Sequence, residues 1–216
     1  MDMQFLCEVL GTVAFSISGA VIGVKREMDI FGVVVLGIVT ALGGGLLRDI
    51  ILNTFTPSMF VNTTFLYIAI LTSLYVFFLM KDNKRLLPLL SEEQFEALLN
   101  IIDAIGLAMF TIVGVNTSFL YQHGHLACFS IFLGVLTGVG GGVIRDLFAG
   151  VMPQILRKHV YASASLIGAI VYYHCRVLLA SDYPLLLCAA IIIAIRVAAY
   201  HYRWKLPKIR SAGSCN

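Results

Sequence analysis

Residues 40–50 read TALGGGLLRDI and residues 137–147 read TGVGGGVIRDL. Each sets three glycines in an apolar run and follows them with an arginine–aspartate pair. Two kinds of chemistry are open to such a device. Backbone loosened at glycines can turn its carbonyls toward a cation, provided it faces protein or a water-filled cavity. Ionisable groups inside a membrane cost at least about 2.5–3.5 kcal/mol each at the helix centre, so they mark functional positions unless they only lock helices together or reach for the interface. Arg48, Asp49, Arg145 and Asp146 are such groups, and Glu8 and Asp103 stand alone in two further apolar runs. Catalytic chemistry finds no foothold. No Gly-Lys-Ser/Thr follows the glycine triplets, there is no His-Glu-x-x-His and no Gly-x-Ser-x-Gly, and His123 with His125 lacks the carboxylate or thiolate of a metal site. The sequence therefore predicts no enzyme and no resident cofactor.

The elements that must position these groups are membrane helices. Of 216 residues 59% are hydrophobic and only 12% charged, with a mean hydropathy of +0.92, against about a quarter charged in an ordinary soluble domain. A helix needs about 20 apolar residues to cross a bilayer core. Seven stretches qualify: 5–24, 30–52, 60–80, 96–117, 126–149, 159–179 and 183–203. They do not alternate as barrel strands would, so the fold class is an all-α membrane protein. Cys7, Cys128, Cys175, Cys188 and Cys215 show no paired spacing, and four lie in the spans as small hydrophobes. The N-terminal run has no basic flank and contains Glu8, so it reads as a retained first span. Basic residues crowd the loops after spans one, three, five and seven, from Lys25 and Arg26 to Lys208 and Arg210. By the positive-inside rule the N-terminus lies outside and the C-terminus inside. Orientation and anionic lipid account for the net charge of +3 without a nucleic-acid partner.

The chain also repeats itself. At an offset of 97, residues 36–53 match 133–150 at eight of eighteen positions. At an offset of 95, EVLGTVAFSISG lies over DAIGLAMFTIVG and places Glu8 over Asp103, and at 96 Pro57 lies over Pro153. A three-span unit has an odd number of crossings, so its second copy is inverted in the membrane. The organisation is a first repeat over 1–80, a cytoplasmic connector over 81–95, an inverted second repeat over 96–180, a seventh helix over 181–203 and a basic tail over 204–216. Ser91 to Gln94 has capping-box spacing for the start of span four. Inverted repeats with a site at their interface are an architecture of solute-moving proteins.

Gly37, Ala41 and Gly45, like Gly134, Gly138 and Gly142, form ridges on which a second helix packs closely. Three consecutive glycines exceed what a ridge needs, each costing up to about 1 kcal/mol in a helix. We therefore expect a kink or local unwinding at Gly43, Gly44 and Gly45 and at Gly140, Gly141 and Gly142. Arg48 and Asp49 point about 100° apart on a helix, so each is expected to find a partner elsewhere. By depth, Glu8 falls near Arg48 at the outer end and Asp103 near Arg145 at the inner end, with Asp49 and Asp146 across the repeat interface as alternatives. Arg196 is expected to snorkel inward and anchor the last helix with Tyr200, Tyr202 and Trp204.

The doubled GGGLLRD and GGGVIRD, the seven spans and KREMDIFG at 25–32 resemble the prokaryotic branch of the trimeric intracellular cation (TRIC) channel family over about residues 5–200. The resemblance implies a homotrimer with a pore inside each subunit, lined by helices two and five bent at their glycine triplets and conducting monovalent cations, chiefly potassium. It places Arg48, Asp49, Arg145 and Asp146 at the charged positions beyond the bends. It also implies a bacterial cytoplasmic membrane location and contact with membrane lipids. Sequences of this branch are also described as glycine-transporter domains, so a carrier of a small amino acid stands as the alternative. A lipid-binding or scramblase-like protein is a third reading.

Overall fold

The computed structural model describes residues 3–82, 92–157, 160–179, 184–202 and 204. Within them nine helices follow in order: α1 Met3–Lys25, α2 Ile30–Ile51, α3 Ser58–Val61, α4 Thr64–Asp82, α5 Glu92–Leu120, α6 Ala127–Phe148, α7 Gln154–Arg157, α8 Tyr161–Leu179 and α9 Pro184–His201. Helices α1, α2, α4, α5 and α6 are long and apolar enough to cross a membrane, and α9 is a shorter apolar helix. Each expected span corresponds to one of the seven long helices. The third starts later than expected, because Pro57 opens the separate turn α3 and the chain is helical again only from Thr64. The fourth starts earlier, at Glu92. Residues 83–91, with most of the connector and Ser91 of its capping signature, lie outside the described residues, as do Lys84, Arg85, Lys158, Arg203, Cys215 and the tail from 205.

Local chemistry sets the ends of the two glycine-bearing helices. Asp29 caps α2, accepting a hydrogen bond from the Gly32 amide at 2.7 Å. At its other end Asn53 takes a left-handed conformation, φ 54°, and the Thr54 amide donates to the Asp49 carbonyl at 3.1 Å. Helix α6 ends the same way, with Gly150 at φ 66° and the Val151 amide donating to the Asp146 carbonyl at 2.9 Å. Asn53 and Gly150 are separated by the repeat offset of 97 and belong to the residue types that tolerate this geometry. Each helix therefore stops just beyond its Arg-Asp pair and turns the chain back over it.

The halves are assembled by matching contacts. Gly19 of α1 lies against the backbone of α2 at Leu36 and Gly37, and Gly114 of α5 lies against Leu133 and Gly134 of α6. Between halves, α1 meets α5 through Gly11 on Phe110, Phe15 on Gly106 and Ser18 beside Asp103. Residue numbers rise on one helix as they fall on the other, so these equivalent helices are antiparallel. The Phe15 and Phe110 rings close this contact, 5.3 Å between centroids. Helix α9 packs mainly on α5 and α8, both in the second half.

Candidate functional site

The centre of the molecule is the crossing of α2 and α6. A Cβ added to Gly44 would strike the backbone carbonyl of Thr137, and one added to Gly141 would strike that of Thr40. Thr40 and Thr137 are related by the same offset of 97 as the two glycines, so the two halves form this contact reciprocally. The first glycines meet side chains instead: Gly43 faces Ile144 and Gly140 faces Leu47, again an equivalent pair. The third glycines differ. Nothing crowds Gly45 beyond its own helix's Arg48 Nη2 at 3.8 Å, whereas Gly142 faces the Tyr161 hydroxyl, 2.6 Å from where a Cβ would stand.

The expected unwinding is absent. Both helices run through their triplets as uninterrupted α-helix, and among the described residues the positive-φ glycine is Gly150. Losing three Cβ atoms removes steric bulk but no backbone hydrogen bond, so the triplets admit the facing backbone instead of releasing their own. A second local feature sits one turn before each triplet. Thr40 donates to the Leu36 carbonyl at 2.5 Å and Thr137 to that of Leu133 at 2.7 Å, a side-chain bond that often bends helices.

The charged positions also depart from expectation. Arg48 Nε and Nη2 both reach Oδ1 of adjacent Asp49 at 2.8 Å, and Arg145 makes the same pair with Asp146 at 2.9 Å. A flexible arginine stem spans the angle between neighbours, and in a buried site a charge takes the nearest counter-charge. The other carboxylate oxygen of each aspartate ties down the returning chain: Asp49 Oδ2 accepts the Ser58 amide and Asp146 Oδ2 the Gln154 amide, both at 2.7 Å. Among the described residues, neither aspartate pairs across the repeat interface.

Beyond these shared bonds the ends diverge. Arg145, 0% exposed, donates through Nη1 to Asp103 and to Ser18, both at 2.6 Å, which is the partner its depth suggested. Asp103 Oδ2 also lies 3.5 Å from Arg196 Nη2, and the Arg196 guanidinium stacks over the Tyr161 ring at 4.5 Å. Arg196 is thus buried rather than snorkelling to the interface, because α9 lays it against Asp103. Arg48 instead reaches Thr117 and Ser58 at 3.3 Å. Glu8 forms no ion pair with it; its carboxylate accepts from Gln4 Nε2 at 3.1 Å. Glu8, Arg48, Asp49 and Gly45 border a cavity of about 220 Å³ that runs in to Phe110 and Ala41. Tyr161, Arg196, Ser18 and Thr117 are the site residues the sequence reading did not assign. The hydroxyls in apolar runs were a visible signal, but which charge they would meet depends on helix packing.

Antiparallel apolar halves around a close helix crossing, with buried charges at both of its ends, define a multi-pass membrane protein. Comparison with known proteins sharpens this. A family model described as "Glycine transporter" matches residues 5–81 and 100–177, one segment in each half. The chain is 38% identical over 95% of its length, and 95% of the relative's, to the UPF0126 inner membrane protein YadS of Escherichia coli K12. A TRIC cation channel structure from work on conductance through these channels superimposes with a TM-score of 0.82 at 32% identity, over 99% of this chain and 100% of that one. The TRIC trimeric intracellular cation channel orthologue from Rhodobacter sphaeroides gives 0.83 at 27% identity, over 94% and 100%. The chain belongs to the prokaryotic TRIC channel family.

Proposed function

We propose that the protein is a monovalent-cation channel, chiefly for potassium, whose pathway runs inside each subunit along the α2–α6 crossing. The observation that carries this reading is the cavity at the Arg48 end, which reaches Gly45 at the crossing and carries two acids, Glu8 and Asp49, against the single cation Arg48. A negative, low-dielectric mouth concentrates cations. The first two glycines of each triplet let α2 and α6 approach, and with the Thr40 and Thr137 side-chain bonds they form the place where these helices bend most easily. Arg145, Asp146 and Asp103, held by Arg196, close the other end. The likeness to solved cation channels supports the same assignment. The family resemblance and the Rhodobacter orthologue's description support a homotrimer of subunits that each conduct. All seven long helices cross the cell membrane as two inverted repeats plus α9, with the N-terminus outside. On this orientation the Arg48 end is the outer mouth and the Arg145 end the inner one, and the relatives' names support the inner membrane of a bacterium.

A second reading, a carrier for a small amino acid such as glycine, has one specific support in the description of the matching family model. Reconstitution in liposomes separates the two. A channel gives a reversal potential that follows the potassium gradient and needs no second solute. Saturable accumulation of labelled glycine without a potassium current would make the protein a carrier.

A further inference from the structure

The short helix α3 stands between the cavity at the Arg48 end and the surface that α2 and α4 turn outward. Its four residues divide by direction. Ser58 and Met59 line the cavity, whereas Phe60 and Val61 are 60% and 74% exposed. Ser58 also holds both charges of the site, since its amide donates to Asp49 Oδ2 at 2.7 Å and its Oγ accepts from Arg48 Nη2 at 3.3 Å. Helix α7 repeats the plan at an offset of 96, with the Gln154 amide on Asp146 Oδ2, Ile155 packed on the core and Leu156 exposed. An apolar side chain turned outward at the same place in both halves calls for an apolar partner outside the subunit.

We infer that α3 is a lipid contact, seated in the bilayer interface by Phe55, Phe60 and Val61, through which the membrane acts on the Arg48–Asp49 pair. Continuity argues for lipid as the partner. Exposed Ile50 and Ile51 end α2 on one side of α3, and exposed Tyr67 and Leu71 open α4 on the other, so α3 extends the surface of two helices long and apolar enough to cross a membrane. Tyrosine gathers at the membrane–water boundary, and Tyr67, in the first turn of α4, sets that boundary at the level of α3. Thr54, Thr56, Asn62 and Thr63 interleave the exposed apolar residues, a mixture suited to headgroups on one side and acyl chains on the other. A bilayer thicker or thinner than the apolar spans makes helices tilt and flanking residues shift. Any such shift of α3 moves the cavity wall at Met59 and both bonds at Ser58. Ile155 faces packed core instead of that cavity, so α7 touches the membrane without a mouth to alter. The effect on current rests on the channel reading; the lipid contact does not.

The test uses the full chain in lipid nanodiscs and in planar bilayers. Trp204 is the single tryptophan, so a Trp204→Phe background carrying Phe60→Trp reports on α3 alone, and one carrying Leu156→Trp reports on α7. Emission should be strongly reduced by lipids brominated high on the acyl chain and barely changed by aqueous iodide. Quenching by iodide alone would put α3 in water, and protection from both quenchers would put a second subunit over it; either overturns the contact. In planar bilayers of increasing acyl length the potassium conductance of the parent should change with thickness. Phe60→Ser with Val61→Ser should lose most of that dependence at an unchanged reversal potential, Phe60→Leu should keep it, and Leu156→Ser should leave it as in the parent. A thickness dependence unaltered by the double change overturns the action on the Arg48–Asp49 pair, even where the channel conducts. Lipid quenching in a protein that passes no potassium upholds the contact and overturns the channel reading instead.

Discussion

The Arg48 end and the Arg145 end of the molecule begin from nearly the same residues and arrive at opposite states. Both have a glycine triplet, an Arg-Asp neighbour pair, a left-handed turn and an aspartate holding the amide of the next short helix. At the Arg145 end Tyr161 covers the third glycine, and Asp103 gathers Arg145, Arg196 and Ser18 into a fully buried cluster. At the Arg48 end the third glycine borders a cavity and Glu8 keeps only amide partners. The difference comes from α9, which packs on the second half and delivers Arg196, and from α8, whose first residue is Tyr161. A duplicated scaffold with one added helix thus has a cavity at its Arg48 end and a buried charge cluster at its Arg145 end.

The largest effect should come from the feature both ends share. Gly44→Leu or Gly141→Leu drives a side chain into the opposing backbone carbonyl, which cannot rotate away. Each should cost at or beyond the upper end of the about 1–3 kcal/mol usual for overpacking, and both should reduce folded protein as read by size-exclusion recovery and thermal unfolding. If Gly44→Leu alone were tolerated, the reciprocity of the crossing would be wrong.

Charge removal should separate the ends. Arg145→Met leaves Asp103 and Asp146 buried with Arg196 alone, and losing one partner of a buried pair costs about 3–5 kcal/mol. Arg48→Met leaves Asp49 beside a cavity that water can enter, so its loss should be clearly smaller in the same unfolding assay. Double-mutant cycles refine this. Arg145→Met with Asp103→Asn should show strong coupling, and Arg48→Met with Glu8→Gln should be close to additive. Strong coupling in the second cycle would mean that Arg48 swings onto Glu8, and the asymmetry would then be a matter of side-chain position alone.

The smallest effect is the sharpest. Gly45→Ala meets only ordinary contact and should gain up to about 1 kcal/mol from helix propensity. Gly142→Ala runs into the Tyr161 hydroxyl and should lose stability, with Tyr161→Phe restoring part of it. Equal responses at Gly45 and Gly142 would remove Tyr161 from its place over the second triplet.

These contrasts mark what the sequence could reveal. Hydropathy placed the seven long helices to within a few residues, since the length of an apolar run limits a membrane helix. The offsets of 95 to 97 paired Glu8 with Asp103, and depth along the helices brought Asp103 to Arg145. The ridges were legible, with Gly37, Gly134 and Gly138 each close against a neighbouring helix, but the unbroken helix at the triplets was not, because propensity measures the cost of a glycine in an isolated helix and not the benefit of a partner backbone packed against it. The Arg48–Asp49 pair was missed because helical angle describes where a side chain leaves the backbone and not where a long one ends. Arg196 was missed as a partner of Asp103 because α9 lies outside the repeat, and no periodicity encodes where it docks.

The most direct measurement places a single cysteine at Gly45 in a background with the five native cysteines replaced. A small cationic thiol reagent is then applied to the outer side during recording in a potassium gradient. The account predicts a cation-selective current that falls as the reagent reacts with Gly45→Cys and is unaffected in the cysteine-free parent. An unchanged potassium current after complete labelling would place the pathway away from the α2–α6 crossing and contradict the account.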